Sequence, residues 1–308
     1  MSIGDKQIQL INCVKNFLKS LESSNIDSSL SSFSYFATWG ETPGYAKLKY
    51  WLNGWFFVPK FCIILLKNIL AIASHTKYVE FSNRDSSNNY DIMVLSFAFK
   101  ENFQPDGSFN DRYFSENSKD LPNSYWILIS MDDYVPTNLN NNITVIKKER
   151  GVIKYNFFSF IKILISIIID CRFSPRKIFH YLSFYSYFAK LISATVKKEL
   201  KKSNYKAILL PYEAQPFQNN VFLEVKKFNK KITTIGYIHA LLSPLTCELF
   251  YRTGAPDVLL VHGESQIEIL KSKLNWPKNT LHLIQSIRFR LNENRSLSKK
   301  IFIPFAIQ

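Results

Sequence analysis

Four short apolar runs in the C-terminal half of the chain end in residues that can do chemistry. Carboxylate and imidazole side chains act as general bases, whereas arginine and the backbone amides of a helix N-terminus bind phosphate. Glu213 and His239 are the candidate catalytic residues, because each follows one of these runs. The candidate substrate-binding residues at the same four ends are Tyr212, Gln215, Tyr237, Ser243, Gly263, Ser286 and Arg288.

The main candidates each have a structural interpretation that the sequence leaves open. Glu213 can be an acidic residue that stabilises a helix N-terminus through the helix dipole. His239 can be a hydrogen-bonded structural histidine. Gly263 can simply allow a tight turn between a strand and a helix. Arg288 can pair with an acidic residue on the surface instead of binding phosphate.

Alternating strands and helices are predicted around these candidates. The predicted strands span residues 91–99, 125–130, 143–147, 207–210, 232–237, 258–261 and 282–285. The predicted helices of the second half span residues 176–202, 216–228 and 265–274, the last with Glu264 or Ser265 near its N-cap. This order predicts a Rossmann-like α/β fold with a mainly parallel sheet and helices on both faces. Because the carboxyl ends of parallel strands meet at one edge, the candidates are expected to line one site.

The chain carries a large positive charge, which favours anionic partners. Its 308 residues include 39 Lys and Arg against 24 Asp and Glu, a formal net charge of +15. Nucleic acid, phospholipid headgroups and phosphorylated substrates are the partners that such a charge attracts. Codon usage rich in A and T explains the same excess equally well, since it raises Lys, Asn, Ile and Phe together. The basic residues show no recognised nucleic-acid motif, so nucleic acid is the least favoured partner.

Two apolar segments and one basic helix could place the protein at a membrane surface. Residues 56–74 are the most hydrophobic part of the chain, but one proline and two lysines interrupt them. A membrane span needs roughly 20 apolar residues, so a buried core helix is favoured, with a surface-bound helix and a span as the alternatives. Residues 157–169 are too short to span. The lysines of residues 176–202 either form a solvated face or contact anionic lipid or phosphate.

The remaining composition favours a cytoplasmic protein, with peripheral attachment to the inner face of the cytoplasmic membrane as an option. The 4 cysteines form no CxxC pair and have no histidine at ligand spacing, so no metal site is expected. Three of them lie in apolar runs, as expected for buried thiols in a reducing compartment. Residues 1–30 predict an amphipathic N-terminal helix rather than a signal peptide.

Several well-defined catalytic motifs are absent from the sequence. It contains no GxGxxG, no Walker A motif and no GxSxG, which disfavours dinucleotide-binding, P-loop and α/β-hydrolase proteins. The acidic pair Asp132-Asp133 at a predicted strand end is DD rather than DxD. This difference disfavours a metal-dependent transferase.

Four segments around the candidates resemble a group of bacterial surface-carbohydrate biosynthesis proteins with the GT-B glycosyltransferase architecture. The segments are PYEAQPFQN, TTIGYIHALLSP, PDVLLVHGES and QSIRF, within residues 206–289. Gln285 stands where the family carries glycine. The residues that match the motifs of the family are Glu213, Gly236, Tyr237, His239, Pro256, Asp257, Gly263, Ser286 and Arg288.

The resemblance implies the N-terminal, acceptor-side half of a GT-B enzyme. Residues 31–290 are then the Rossmann-like acceptor-side domain, in which residues 33–39 match the first strand of the family. Residues 291–308 are expected to be a linker and the first strand of a second domain that is largely missing. A partner chain could supply that second domain.

The function implied by the resemblance is metal-independent transfer of a sugar from a nucleotide-sugar to a glycan acceptor in capsule or lipopolysaccharide biosynthesis. Glu213 or His239 acts as the base on the acceptor hydroxyl, and Arg288 or a helix N-terminus stabilises the leaving phosphate. No cofactor is expected beyond the nucleotide-sugar donor. The acceptor can be lipid-linked, in which case the apolar segments and the basic helix hold the domain near it. The alternative is a catalytically inactive Rossmann-like remnant or a membrane-surface interaction module.

Overall fold

The structure is a computed structural model that describes most of the second half of the chain and part of the first. The described ranges are residues 78–84, 88–121, 123–148, 184–239 and 249–285, together with the isolated positions 12, 16, 66, 161, 165 and 169. Several predictions from the sequence fall outside these ranges. They concern the N-terminal helix, the strand at residues 33–39, the apolar segments 56–74 and 157–169, and residues 291–308.

The described residues form an α/β fold around an eight-stranded, mostly parallel sheet, which confirms the predicted fold class at that level. The strands are β1 (Tyr78–Ser82), β2 (Ile92–Ala98), β3 (Ser124–Ser130), β4 (Ile143–Lys148), β5 (Ala207–Pro211), β6 (Thr233–Tyr237), β7 (Val258–Val261) and β8 (Leu281–Leu283). Their order across the sheet is β1-β4-β3-β2-β5-β6-β7-β8. Every neighbouring pair is parallel except β1 and β4, which are antiparallel.

Three α-helices accompany the strands in the described ranges. They are α1 (Phe184–Leu200), α2 (Pro216–Phe228) and α3 (Glu264–Leu274). Proline at the first position of α2 suits the helix start, because its missing N–H has no partner there in any case. The N-cap of α3 is Gly263, and Glu264 and Ser265, which were predicted near the N-cap, are the first two residues of the helix. No helix of the described part of the chain is long and apolar enough to cross a membrane.

The strand order reverses at the centre of the sheet, between β2 and β5. After β2 the chain adds β3 and β4 on one side, and it then returns to add β5 to β8 on the other side. β2 therefore pairs with β5 although the two strands are far apart in sequence, with Ile92 opposite Ala207. In open parallel sheets, ligands bind beyond the carboxyl ends of the strands at such a reversal.

One face of the sheet is covered by the helices. All three helices contribute to the larger apolar cluster, through residues such as Ile192, Val221 and Leu270. These side chains pack with strand residues such as Ile127 and Ile208. The helices therefore meet the sheet along continuous buried rows rather than at isolated points.

The opposite face is covered by connecting segments within the described ranges. Phe109, Phe114 and Leu139 belong to the loops on either side of β3, and they are buried against Trp126 and Tyr237. The prediction of helices on both faces is therefore not confirmed, because the described helices all join the other cluster. Aromatic loop side chains provide the apolar surface that a helix would otherwise supply.

Strand β1 was not predicted, and a buried ion pair ties the segment after it to α1. The Arg84 guanidinium donates to Glu199 Oε2 at 2.7 Å and to the Tyr205 hydroxyl at 3.1 Å. The side chains of Arg84 and Glu199 are only 4% and 2% exposed, and the guanidinium lies 4.5 Å from the centre of the Tyr125 ring. This contact joins parts of the chain that are 115 residues apart.

Replacing Arg84 with methionine should destabilise the fold by about 3 kcal/mol, because it leaves the buried Glu199 carboxylate with one charged partner fewer. The free energy of unfolding, measured in urea, provides the readout. Arg112→Met is the matched control, since Arg112 forms an exposed ion pair with Glu101. The control should cost less than about 1 kcal/mol. Equal losses in the two variants would contradict a structural role for the buried pair.

A second contact between β1 and α1 should make stability depend on acid pH. Glu80 accepts hydrogen bonds from Lys198 Nζ at 2.6 Å and from the Thr195 hydroxyl at 2.7 Å. Burial raises the pKa of Glu80, but these hydrogen bonds outweigh burial and hold the pKa below its ordinary value of 4.5. A carboxylate with a lowered folded-state pKa stabilises the fold above the unfolded-state pKa and loses that contribution as pH falls.

Glu80→Gln should therefore lower the free energy of unfolding at neutral pH, and the difference from the unmodified chain should shrink as pH falls below 4.5. Urea unfolding at a series of pH values measures this difference. Glu101→Gln, at an exposed carboxylate, serves as the control and should track the unmodified chain. A difference that stays constant down to low pH would show that the Glu80 charge is not involved.

Candidate functional site

The two candidate catalytic residues meet at the carboxyl ends of neighbouring strands. Glu213 follows β5 and His239 follows β6, and these two strands pair so that Pro211 lies opposite Tyr237. His239 Nε2 lies 3.4 Å from Glu213 Oε1. The histidine side chain is 8% exposed and the glutamate side chain 28% exposed. The sequence therefore identified two residues that the structure brings into contact, and the carboxylate is the more accessible of them.

The loop that carries Glu213 is held by the side chain of one buried glutamine on α2. Gln218 Oε1 accepts the backbone N–H groups of Glu213 and Gln215, each at 2.9 Å. Gln218 Nε2 donates to the Pro211 carbonyl at 2.7 Å. Between the two N–H groups, Ala214 adopts a left-handed backbone conformation with φ of 56°. That conformation is costly for a residue with a Cβ atom, so it persists because these hydrogen bonds hold it.

A buried arginine also supports the loop that carries Glu213. Arg252 Nη2 donates to the Ala214 carbonyl at 2.9 Å. The Asn219 carboxamide satisfies two neighbours when its nitrogen donates to the Tyr212 hydroxyl at 2.7 Å and its oxygen accepts from Arg252 Nε at 3.1 Å. Burial raises the pKa of Tyr212, whose side chain lies in the core. Tyr212 therefore forms part of the wall behind the site.

Gly236 allows β6 to lie directly against this wall. A Cβ atom at position 236 would lie 2.9 Å from the Cβ of Tyr212 and 3.0 Å from the Cγ of Pro256. Both atoms belong to short or rigid side chains that cannot move away. Glycine at this position thus sets the separation of the β6 backbone from the loop that carries Glu213.

The loop after β2 holds an aromatic ring against His239, a contact that was not predicted from the sequence. The Tyr113 ring meets the His239 ring edge-on, with centroids 4.5 Å apart. The buried Asp111 carboxylate accepts the backbone N–H groups of Tyr113 and Phe114, each at 2.7 Å, and also the Ser96 hydroxyl. Burial raises the pKa of Asp111. The available signal was an aspartate two residues before the tyrosine, the spacing at which a carboxylate turns the backbone.

Aromatic side chains continue from His239 across the reversal of strand order. Phe97 near the end of β2 lies 6.0 Å from the Tyr113 ring and 5.8 Å from the Phe217 ring at the start of α2. Phe217 in turn meets Phe188 of α1 at 5.5 Å. The Glu213–His239 pair therefore borders a row of rings, and such rings offer flat apolar surfaces.

Gly263 does not need to be glycine for the turn that it occupies. Its φ is −152°, which any residue adopts, and an added Cβ atom would meet only Ser265 Oγ, at 3.7 Å. The turn therefore does not depend on the conformational freedom of glycine, which was one interpretation of Gly263 from the sequence. Gln266 Oε1 accepts the His262 N–H at 3.2 Å, and the Tyr237 ring meets the His262 ring edge-on at 5.1 Å. Burial lowers the pKa of His262.

Of the remaining candidates, only some lie close to the Glu213–His239 pair. Gln215 Nε2 donates to Glu213 Oε2 at 2.9 Å, so Gln215 belongs to the immediate surroundings of the carboxylate. Tyr237 is fully buried between Phe114 and His262. Gly263 follows β7, the strand next to β6. Three candidates lie outside the described residues, namely Ser243, Ser286 and Arg288.

The described residues contain no group of three or more His, Cys, Asp or Glu side chains that could hold a metal ion. Asp132, the first residue of the DD pair, accepts the Lys100 N–H at 2.7 Å and the Tyr134 N–H at 3.2 Å. Its carboxylate thus joins the loops after β2 and β3. The Glu213 side chain is 28% exposed, and a carboxylate can accept a proton or a hydroxyl hydrogen bond.

Comparison with known proteins adds no family to this description. No protein-family model matches the chain, and a search of curated proteins found no match. The class that the structure defines is an α/β protein with a mostly parallel eight-stranded sheet, in which the ends of two neighbouring strands carry a glutamate and a histidine in contact.

Replacing Gln218 with methionine should destabilise the protein by about 3 kcal/mol, because it leaves two N–H groups and one carbonyl without their partner. Gln266→Met is the matched control, since both glutamines are the third residue of their helix and Gln266 accepts only one N–H group. Its loss should be about 1 kcal/mol. Urea unfolding measures both values, and a larger loss in the control would refute the role given to Gln218.

Proposed function

We propose that the chain is the Rossmann-like, acceptor-side domain of a glycosyltransferase with GT-B architecture, acting in bacterial surface-polysaccharide biosynthesis. The observation that carries the proposal is the contact between Glu213 and His239. The two residues come from separate segments of the resemblance, and they meet at the edge where parallel sheets bind ligands.

The arrangement of strands supports the Rossmann-like part of the proposal. Three parallel strands in the order β4-β3-β2, followed by β5-β6-β7-β8 on the other side, give a central reversal. Rossmann-like sheets show the same reversal and bind ligands beside it. Glu213 follows β5, which is one of the two strands at the reversal, so a ligand at the usual place would meet this carboxylate.

In the proposed reaction, Glu213 accepts the proton of an acceptor hydroxyl. The hydroxyl oxygen forms a bond to the anomeric carbon of the donor sugar as the bond from that carbon to the phosphate oxygen breaks. The electron pair of the broken bond leaves with the nucleotide phosphate, and the proton stays on the enzyme. General bases of this kind accelerate such a step by roughly 10²–10⁴-fold.

In this proposal, His239 holds the Glu213 carboxylate in place and balances its negative charge. Its side chain is less exposed than that of Glu213, and Tyr113 fixes its ring. Gln215 and Gln218 hold the other side of the glutamate, through one carboxylate oxygen and through the backbone N–H. The carboxylate therefore keeps one orientation toward a bound hydroxyl, which saves the entropy of orienting it during the reaction.

The donor in this proposal is a nucleotide-sugar, and no further cofactor takes part. In GT-B enzymes a second domain holds most of the donor, so turnover requires that domain from the same chain or from a partner. The N-terminus of α3 at Gly263 is the element of the described part that suits a leaving phosphate, because helix N-terminal amides stabilise negative charge. Arg288 keeps its proposed role in the same charge stabilisation.

Saccharide binding to the chain, measured by saturation-transfer NMR on a panel of bacterial oligosaccharides, tests the proposal without the second domain. Glu213→Gln and His239→Asn should lose the transfer signal, because a sugar hydroxyl then lacks an oriented carboxylate. The matched controls are Glu101→Gln, at an exposed glutamate, and His282→Asn, at an exposed histidine on β8. Both controls should keep the signal.

Equal signals in all four variants would refute the role of the pair, and no signal from the unmodified chain with any oligosaccharide would count against an acceptor-side domain. Either result would favour the inactive remnant or the interaction module. Where transfer is measurable with a panel of nucleotide-sugars, Glu213→Gln should lower its rate by roughly 10²-fold or more.

A further inference from the structure

The edge of the sheet opposite the candidate site is rich in lysine. The helices α1, α2 and α3 all end near the edge where the strands that follow them begin. Thr233 N–H donates to the Lys206 carbonyl, which places the segments before β5 and β6 side by side. We call this surface the lysine pole, and its members are Lys197, Lys198, Lys201, Lys202, Lys206, Lys226, Lys227, Lys230, Lys231, Lys271, Lys273 and Lys278.

Internal ion pairs neutralise only a part of this charge. Six acidic residues pair with lysines of the pole, namely Glu80, Asp91, Glu199, Glu224, Asp257 and Glu268. Glu224 pairs with lysines of both α1 and α2, and Asp257 with one of α2. The lysines of the pole that have no ion pair with a described residue are Lys201, Lys230, Lys231, Lys273 and Lys278.

A large aromatic side chain stands exposed within the lysine pole. Phe228 is the last residue of α2 and is 42% exposed. Two lysines precede it and two follow it after one asparagine, in the sequence KKFNKK at residues 226–231. An exposed phenylalanine costs solubility unless it has a partner, and basic residues around an apolar side chain are typical of membrane-surface binding.

We propose that the lysine pole docks the protein onto an anionic phospholipid surface. The lysine ammonium groups contact the lipid phosphates, and Phe228 enters the boundary between headgroups and acyl chains. Lysine is a compact point charge that suits a diffuse layer of phosphates. Arginine makes the commonest specific contact with bases in nucleic acid, whereas the cations that define the pole are all lysines. This inference does not depend on the proposed glycosyl transfer.

Docking through this surface would set the orientation of the candidate site. β5 has 5 residues, so its length is roughly 17 Å. Glu213 and the lysine pole lie at its two ends, and the site therefore faces away from the membrane by about that distance or more. The sequence hypothesis placed the basic helix next to a lipid-linked acceptor. The structure instead puts the basic end of α1 at the edge opposite Glu213.

Co-sedimentation with vesicles tests the docking surface. The unmodified chain should pellet with vesicles of equal parts phosphatidylcholine and phosphatidylglycerol, and not with pure phosphatidylcholine. Binding should weaken as salt is raised, because salt screens the lysine charges. Any contribution of the apolar segments 56–74 and 157–169 is the same in every variant, so the comparison between variants isolates the pole.

The double variant Lys230→Gln/Lys231→Gln should bind the anionic vesicles roughly 30-fold more weakly, since each lysine near an anionic surface contributes about a fivefold factor. The matched control is Lys100→Gln/Lys148→Gln, which removes the same charge from the carboxyl ends of β2 and β4. The control should change binding less than about threefold. Lys100, Lys230 and Lys231 are exposed and Lys148 is half-buried. Circular dichroism verifies that both variants are folded.

Phe228→Ser should weaken binding to the anionic vesicles roughly tenfold, and the loss should persist at high salt because it is not electrostatic. Met131→Ser removes an exposed apolar side chain after β3 and should have no effect. Equal binding of the two lysine variants would overturn the proposal. A gel shift of oligonucleotides at a salt concentration where the unmodified chain no longer binds vesicles would also overturn the proposal. The pole would then bind nucleic acid rather than lipid.

Discussion

The carboxamide of Gln218 holds the loop on which the candidate site depends. One oxygen accepts the N–H groups on both sides of Ala214, and the nitrogen of the same amide binds the carbonyl at the end of β5. These three bonds are made inside the protein, where an unpaired polar group is costly, so the loop has little freedom to adopt another course. The backbone at Glu213 follows from this constraint, and Gln215 and His239 then contact the two oxygens of its carboxylate.

The same local arrangement occurs at the N-termini of two of the described helices. Gln266 is the third residue of α3, as Gln218 is of α2, and each turns back to accept a backbone N–H group from the preceding strand end. A glutamine at this position accepts backbone N–H groups beside the helix N-terminus with its own side chain. The difference between the two units is the number of bonds, which is larger where the loop carries Glu213.

The sequence predicted most of the sheet because buried parallel strands are short apolar runs bounded by turns. It also placed Glu213 and His239 at strand ends, and the pairing of β5 with β6 then made their contact a consequence of topology. It could not predict Tyr113 or its support by Asp111, because contacts of an irregular loop leave no periodic pattern. β1 was missed because none of its five residues is fully buried, so the strand shows only a weak apolar pattern.

The central position of β2 has a consequence for how the chain acquires this fold. β2 pairs with β3 on one side, but its other neighbour β5 begins only at Ala207. During synthesis from the N-terminus, the middle of the sheet therefore has an open edge until more than half of the chain has emerged. Pairing over such long separations slows folding and leaves apolar strands exposed in the meantime. A ribosome-bound intermediate of this protein would thus be a natural client for chaperones.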